Sequence, residues 1–291
     1  MNQRGFSMPL MLLMLALPGV ASAAGYYGDG WYSRLETSVA RVDNLSRAWM
    51  RTPSTSDTQA SLALGLGYSK HLSGETRLEL GGYLGATAHQ DFDDLDHWTG
   101  LVSAQLDYEV DSDFDALWVT LQLEAGYRGY DESAPREGWL SSGAFVLNKR
   151  FTADITTRFG YRFTSFEPDD DAFDSPFETR RNALFLSADI GLARNLYLVP
   201  TLGIAEGQLA SSSSMAPGHP DWYDRVVPDP AFAAGTAAYR LEADFAEFGL
   251  ALVYTFGQFA VEVGGETIRA ESEDGLTYRD TIVRCGLVWR F

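Results

Sequence analysis

Charged side chains recur at every second position in several segments, and they are the residues best suited to do chemistry. Basic and acidic members are mixed, from Arg34 and Glu36 near the start to Glu262 and Glu266 near the end. On one face of neighbouring strands they would form an internal ion-pair network, or they would line a water-filled path and select solutes through their field. Both interpretations are open. The candidates are Arg34, Glu36, Arg77, Glu79, Glu124, Arg128, Asp154, Arg158, Arg162, Glu262 and Glu266.

A cluster of aspartates offers a second candidate site. Asp169, Asp170, Asp171 and Asp174 lie close together, and carboxylate oxygens are the ligands that calcium prefers. The spacing does not match an EF-hand loop, so a solvated acidic loop is the alternative. With one cysteine and four histidines in the chain, we expect no transition-metal site and no cofactor.

The elements that would position these residues are β-strands. Leu117, Val119, Leu121 and Leu123 alternate with polar residues, and similar runs recur along most of the chain. Side chains on a strand point alternately to its two faces, so each run has one apolar and one polar face. The runs are about 10–15 residues long, whereas soluble strands cluster near 5–6 and a tilted membrane-crossing strand needs about 9–11.

The connections between the predicted strands alternate between short and long. Tight turns are predicted at His71–Glu75, Asp111–Asp115, Lys149–Phe151, Ala193–Asn195 and Gly257–Gln258, and longer polar loops separate them. This rhythm is typical of an antiparallel up-and-down β-barrel with periplasmic turns and extracellular loops. We count twelve strands. A parity change near Ala246–Glu247 indicates a β-bulge or a hairpin above the membrane, and it leaves ten or fourteen strands as alternatives.

The start of the chain predicts export. Residues 1–23 combine a basic residue, an apolar run and a small-x-small ending, which is the layout of a signal peptide. Residues 24–291 would then form one barrel domain. The net charge of −18 disfavours nucleic acid as a partner.

The last residues resemble the C-terminal targeting signal of Gram-negative outer-membrane β-barrel proteins. The matching positions are Arg284, Gly286, Trp289 and the final Phe291. The resemblance implies location in the outer membrane, contact with its lipid, and recognition by the barrel-assembly machinery. The segment Arg41–Ala48 is weakly similar to barrels of the surface lipoprotein assembly modifier type, whose helical repeat domain has no counterpart here.

The leading functional hypothesis is a passive channel for small polar or cationic solutes. A structural or assembly barrel that partners a secretion or surface-polymer system is the second. A lipid-modifying hydrolase is the third, because His71 and Ser73 resemble a His-x-Ser motif. A nucleophilic serine needs a base within reach and access to lipid, and the motif falls in a predicted turn. We therefore expect no enzymatic activity. The sequence leaves the oligomeric state open.

Overall fold

Twelve antiparallel strands form a closed barrel in a computed structural model that describes residues 28–48, 55–110, 115–169, 175–214, 226–232, 235–273 and 275–291. The predicted signal peptide lies outside the described residues. The twelve barrel strands are β1 (Gly30–Val42), β2 (Asp57–His71), β3 (Thr76–His89), β4 (His97–Glu109), β5 (Leu117–Tyr130), β6 (Gly138–Thr152), β7 (Ile155–Pro168), β8 (Thr179–Ala193), β9 (Leu196–Ser214), β11 (Thr236–Phe256), β12 (Phe259–Ser272) and β13 (Thr277–Arg290). A two-residue strand, β10 (Val227–Pro228), pairs with β11 outside this ring. Two single-turn 3₁₀ helices, Asp93–Leu95 and Ala134–Arg136, lie in loops.

Each barrel strand pairs with its neighbours, and the ring closes where β1 pairs with β13 and β9 pairs with β11. The predicted count of twelve is confirmed. The start of β1, the end of β13 and the short turns lie at one end of the barrel, which we call the periplasmic end. Within the described residues, no helix is long and apolar enough to cross a membrane.

The sixth connection differs from the prediction. β6 continues to Thr152, and the turn falls at Ala153–Asp154 instead of Lys149–Phe151. Pairing continues beyond the lysine–arginine pair, because Arg150 pairs with Thr156 and Thr152 pairs with Ile155, with a register shift at Phe151 between them. The β-propensity of Phe151 and Thr152 favours this extension. The predicted turn at Asp111–Asp115 falls mostly outside the described residues.

A belt of apolar side chains covers the outside of the barrel. Leu64, Val102, Leu123 and Phe159 are among its exposed members, and Leu123 has 66% of its surface exposed. An apolar belt of this kind is stable only against hydrocarbon. Aromatic rings flank the belt: Trp98, Tyr127 and Trp139 near the outer end, and a row of rings from Tyr254 to Phe291 near the periplasmic end.

Strands β9 and β11 extend beyond the other strands at the outer end. Their register is continuous from Leu196↔Tyr254 to Ser214↔Thr236, so the bulge predicted near Ala246–Glu247 is wrong. The parity change in the sequence has another cause. Phe248 and Leu250 point outward to lipid, whereas Phe245 points inward and lies in a buried cluster.

The extended β9–β11 hairpin folds across the mouth of the barrel. Leu209 is buried against Phe245 on one face, and Ala210 is buried against Phe166 on the other. Gly207, with a φ of +143°, lies where the hairpin leaves the wall. The upper half of β11 is therefore part of a closed cap and does not stand free above the membrane.

Substitution of Gly207 should test this bend. A Cβ atom there would lie 2.2 Å from the backbone oxygen of Arg180, and the left-handed φ disfavours any side chain. We expect Gly207→Ala to lower the free energy of unfolding by about 1–3 kcal/mol. Urea unfolding in lipid vesicles measures the change. Gly249→Ala is the control, because its Cβ would lie 3.6 Å from the nearest atom, and an equal effect of both changes would contradict the prediction.

Candidate functional site

Ion pairs fill the periplasmic half of the barrel interior. Arg77 on β3 contacts Asp107 on β4 at 2.6 Å, and Arg284 contacts Glu262 at 2.9 Å. Arg158 pairs with Asp189 between β7 and β8 and is also buried. Because the partners come from neighbouring strands at matching depth, the strand register brings them together.

Most of the predicted interior residues lie on the inward face. Ten of the eleven candidates do so, and each of them alternates with an outward apolar or small residue: Arg34, Glu36, Arg77, Glu79, Glu124, Arg128, Arg158, Arg162, Glu262 and Glu266. Asp154 does not. It lies exposed in the turn between β6 and β7, because that turn is displaced from its predicted position.

Glycines on β2 let large side chains lie flat against the inner wall. A Cβ atom on Gly67 would lie 2.2 Å from the ring of Tyr32, and one on Gly65 would lie 2.9 Å from Arg34. Tyr32 donates a hydrogen bond to Glu79, and Arg34 contacts Glu36 at 3.1 Å. This side of the interior is therefore also occupied by paired side chains.

Loops close the outer end around a buried arginine. Arg136 is 5% exposed, and its guanidinium donates hydrogen bonds of 2.6 and 2.7 Å to the carboxylate of Asp229, which is 1% exposed. Its guanidinium also lies over the rings of Phe177, at 4.3 Å, and Phe232, at 5.6 Å. Burial alone would raise the pKa of Asp229, but the hydrogen bonds and charge of Arg136, with further hydrogen bonds from Ser212 and the Ala231 backbone, outweigh it and hold the pKa below the usual 3.8.

The first loop closes the rest of the mouth. The backbone oxygen of Arg47 accepts a hydrogen bond of 2.7 Å from Ser211 Oγ, and the oxygen of Ser46 accepts one of 2.8 Å from the Ser212 amide. Asn44 donates from its side chain to the backbone oxygen of Arg279 at 2.9 Å. The loop therefore bridges β13 and the extended hairpin. This segment includes most of the residues that resemble the assembly-modifier barrels.

An internal cavity of 180 Å³ lies between the cap and the ion-pair network. It is lined by Arg128 and Arg162 from β5 and β7, by Glu266 from β12, and by apolar side chains that include Phe166 and Phe245. Arg128 and Arg162 stack on aromatic rings, with distances of 5.6 Å to Phe166 and 5.3 Å to Phe185. The cavity has room for a small solute.

Sequence reasoning missed several residues of this cavity. Arg181 pairs with Glu247 across β9, and Asp280 accepts a hydrogen bond of 3.3 Å from the Asn44 amide. Arg181 lies one residue before the strand predicted at 182–192, Asp280 is the first residue of the strand predicted at 280–291, and Glu247 falls at the parity change. Extending the alternation of Arg284 and of the strand at 182–192 toward the outer end would have found Asp280 and Arg181.

The calcium candidates lie largely outside the described residues. Asp170, Asp171 and Asp174 are not described, and Asp169 accepts a hydrogen bond of 2.5 Å from the hydroxyl of Tyr127. In the part of the chain that the structure describes, no group of three or more His, Cys, Asp or Glu side chains could hold a metal ion.

The His71–Ser73 motif lies at the periplasmic end of the barrel. Ser73 Oγ accepts hydrogen bonds from the amides of Glu75 and Thr76, and His71 Nδ1 lies 2.6 Å from a carboxylate oxygen of Asp29. His71 ends β2 and Ser73 lies in the turn that follows it. Among the described residues, the hydrogen bonds of Ser73 Oγ are to these two backbone amides and not to a side-chain base.

The residues of the C-terminal signal form the closing strand. Arg284 pairs with Glu262 inside the barrel, and Gly286 pairs with Ser38 of β1. Trp289 stacks between Phe259, at 5.7 Å, and Phe291, at 4.7 Å, on the outside. Recognition by the assembly machinery stays a prediction.

A closed twelve-strand barrel with an apolar belt and aromatic flanks defines this chain as an outer-membrane β-barrel protein of a Gram-negative bacterium. No family model matches the chain, and no curated protein matches it.

One solved structure with a TM-score above 0.5 shares the fold, and two others are less similar. An outer membrane channel from Pseudomonas putida has a TM-score of 0.60 and 12% sequence identity, over 92% of this chain and 98% of that chain. The CymD monoaromatic hydrocarbon channel has a TM-score of 0.47 and 8% identity, over 99% and 95% of the two chains. The translocator domain of the autotransporter NalP from Neisseria meningitidis has 0.41 and 12%, over 94% and 93%. At these identities the likeness is one of fold alone.

Proposed function

We propose that this protein is a passive outer-membrane channel for small polar solutes, seen here in a closed state. The observation that carries the proposal is the 180 Å³ cavity inside the barrel, between the loop cap and the charged periplasmic half. A barrel that served only as a structural wall would gain nothing from a hollow lined by charged side chains, because buried charges without full partners cost free energy.

The charges around the cavity refine the expected solute. Arginines occupy one wall, so a simple cation would meet repulsion there, and a solute with a negative or dipolar group is favoured over a cation. Passage requires the cap to open and the ion pairs below the cavity to exchange partners. Since both barriers consist of side chains and loops, this can occur without breaking the barrel wall.

Conductance of the purified protein in planar lipid bilayers tests the proposal. We expect small discrete current steps with long closed periods, because the resting mouth is capped. The variant Arg136→Met, in which Asp229 loses its ion-pair partner, should be open for a larger fraction of the time. Complete absence of steps from both proteins, with insertion verified by protease protection, would contradict the channel and favour a structural barrel.

A further inference from the structure

The cavity contains charged atoms that the protein's own contacts leave without partners. Arg128 is 4% exposed, and its Nε atom has no hydrogen-bond partner. The Oε1 atom of Glu266 is also buried without a partner. Buried charged groups in this state are costly, so a ligand that supplied the missing partners would be bound favourably.

The two groups lie on opposite walls. Arg128 is on β5 and Glu266 on β12, and β12 is the sixth strand from β5 in either direction around the ring of twelve. Both side chains line the same cavity. The interior therefore has a positive wall and a negative wall, with a gap between them.

The other charges nearby are already engaged. Arg181 is paired with Glu247, and Arg47 of the first loop lies close to the carboxylate of Asp280. Arg279 also borders the cavity, but its side chain is exposed on the outward face of β13. Arg162 lies on the same side as Arg128, two strands further along the ring, but its charge is offset by the nearby carboxylates of Glu124 and Glu247. The separation of charge across the cavity is thus set by Arg128 on one side and Glu266 on the other.

Apolar side chains line the remaining surface, among them Leu140, Phe166, Leu209 and Phe245. A purely apolar cavity of about 150 Å³ holds a benzene-sized molecule. The 180 Å³ available here therefore fits one small molecule with a compact apolar body.

We propose that the cavity binds a small zwitterionic solute with an apolar side chain, whose carboxylate contacts Arg128 and whose ammonium group contacts Glu266. The inference rests on the proposed channel function and names the solute class of that channel. The opposed walls give the selectivity, because an anion or a cation satisfies one wall only and leaves the other unpaired.

Equilibrium dialysis against the purified full chain tests the proposal. The probes are two zwitterions with different charge separations, phenylalanine and 4-(aminomethyl)benzoic acid, with 3-phenylpropionate as the anion and 2-phenylethylamine as the cation. We expect at least one zwitterion to bind about ten-fold more tightly than both singly charged probes, because one charged hydrogen-bond contact contributes that much. Equal or weaker binding of both zwitterions would overturn the proposal without any variant.

Two substitutions then test which charged residue contacts which group of the solute. Arg128→Gln should weaken binding of the zwitterion and the anion about ten-fold, and Glu266→Gln should weaken the zwitterion and the cation but not the anion. Arg269→Gln and Glu271→Gln, on the exposed outward face, are the charge-matched controls. Loss of all probes alike in both variants would contradict the assignment. Conductance steps without zwitterion binding would support the channel function and contradict only the inference about the class of solute.

Discussion

Replacing Leu123 by arginine is expected to destabilise the folded barrel in a lipid bilayer by about 2–4 kcal/mol. Leu123 lies at the middle of β5, faces outward and is 66% exposed, opposite Ala104 and Gly143 on the neighbouring strands. In hydrocarbon the guanidinium would lose its hydration, whereas in water the same change would be nearly neutral. Urea titration of the protein in phosphatidylcholine vesicles measures the difference.

The control for this change is Leu72→Arg in the periplasmic turn. Leu72 is also exposed, but it lies beyond the end of β2, where water reaches the side chain. Its substitution should change stability by less than about 0.5 kcal/mol. A neutral effect at Leu123, or equal effects at both positions, would mean that the apolar belt does not face lipid.

Removal of Arg136 should open the cap. In Arg136→Met the carboxylate of Asp229 stays buried without its partner, and breaking a buried pair in this way costs about 3–5 kcal/mol. We expect faster hydrogen exchange at residues 208–214 and faster protease cleavage of the loops, while the strands of the wall stay protected. Asp229→Asn combined with Arg136→Met should recover part of the protection, and no change in exchange would show that the pair does not hold the cap.

Acid provides a second measurement on the same contact. Because the folded pKa of Asp229 lies below its ordinary value of 3.8, the pair contributes stability that is fully present above that pH. The contribution is lost as the pH falls through the lower folded value. The protection factors of residues 208–214, which correct for the intrinsic pH dependence of amide exchange, should therefore fall below about pH 4 in the wild type and change less in Arg136→Met. The opposite order would contradict the ion pair as the acid-sensitive group.

The barrel wall could be predicted from the sequence because its rules are local. The two-residue period of a strand is visible directly in the sequence, as in Leu117, Val119, Leu121 and Leu123. Once the outward face is known, the residues between them are assigned to the inward face. Asp154 was wrongly predicted to face the interior because the preceding turn was misplaced. The lysine–arginine pair was predicted to form the turn, but strand pairing continues through it.

The cap could not be predicted in the same way. Arg136 and Asp229 are far apart in the sequence, and no period or spacing links them. Ser211 and Arg47 meet only because the first loop turns inward. Such contacts depend on how several loops converge in space, and a single sequence carries no regular pattern for that.

Cys285 makes the orientation of the barrel open to direct measurement. It is the one cysteine in the chain, it is exposed, and it lies on the outward face of β13 opposite Val39 and Val263. A charged, impermeant thiol reagent should therefore label the protein unfolded in urea but not the barrel folded in lipid vesicles. A nitroxide or fluorophore attached there would report immersion depth and contacts between neighbouring barrels without any engineered residue.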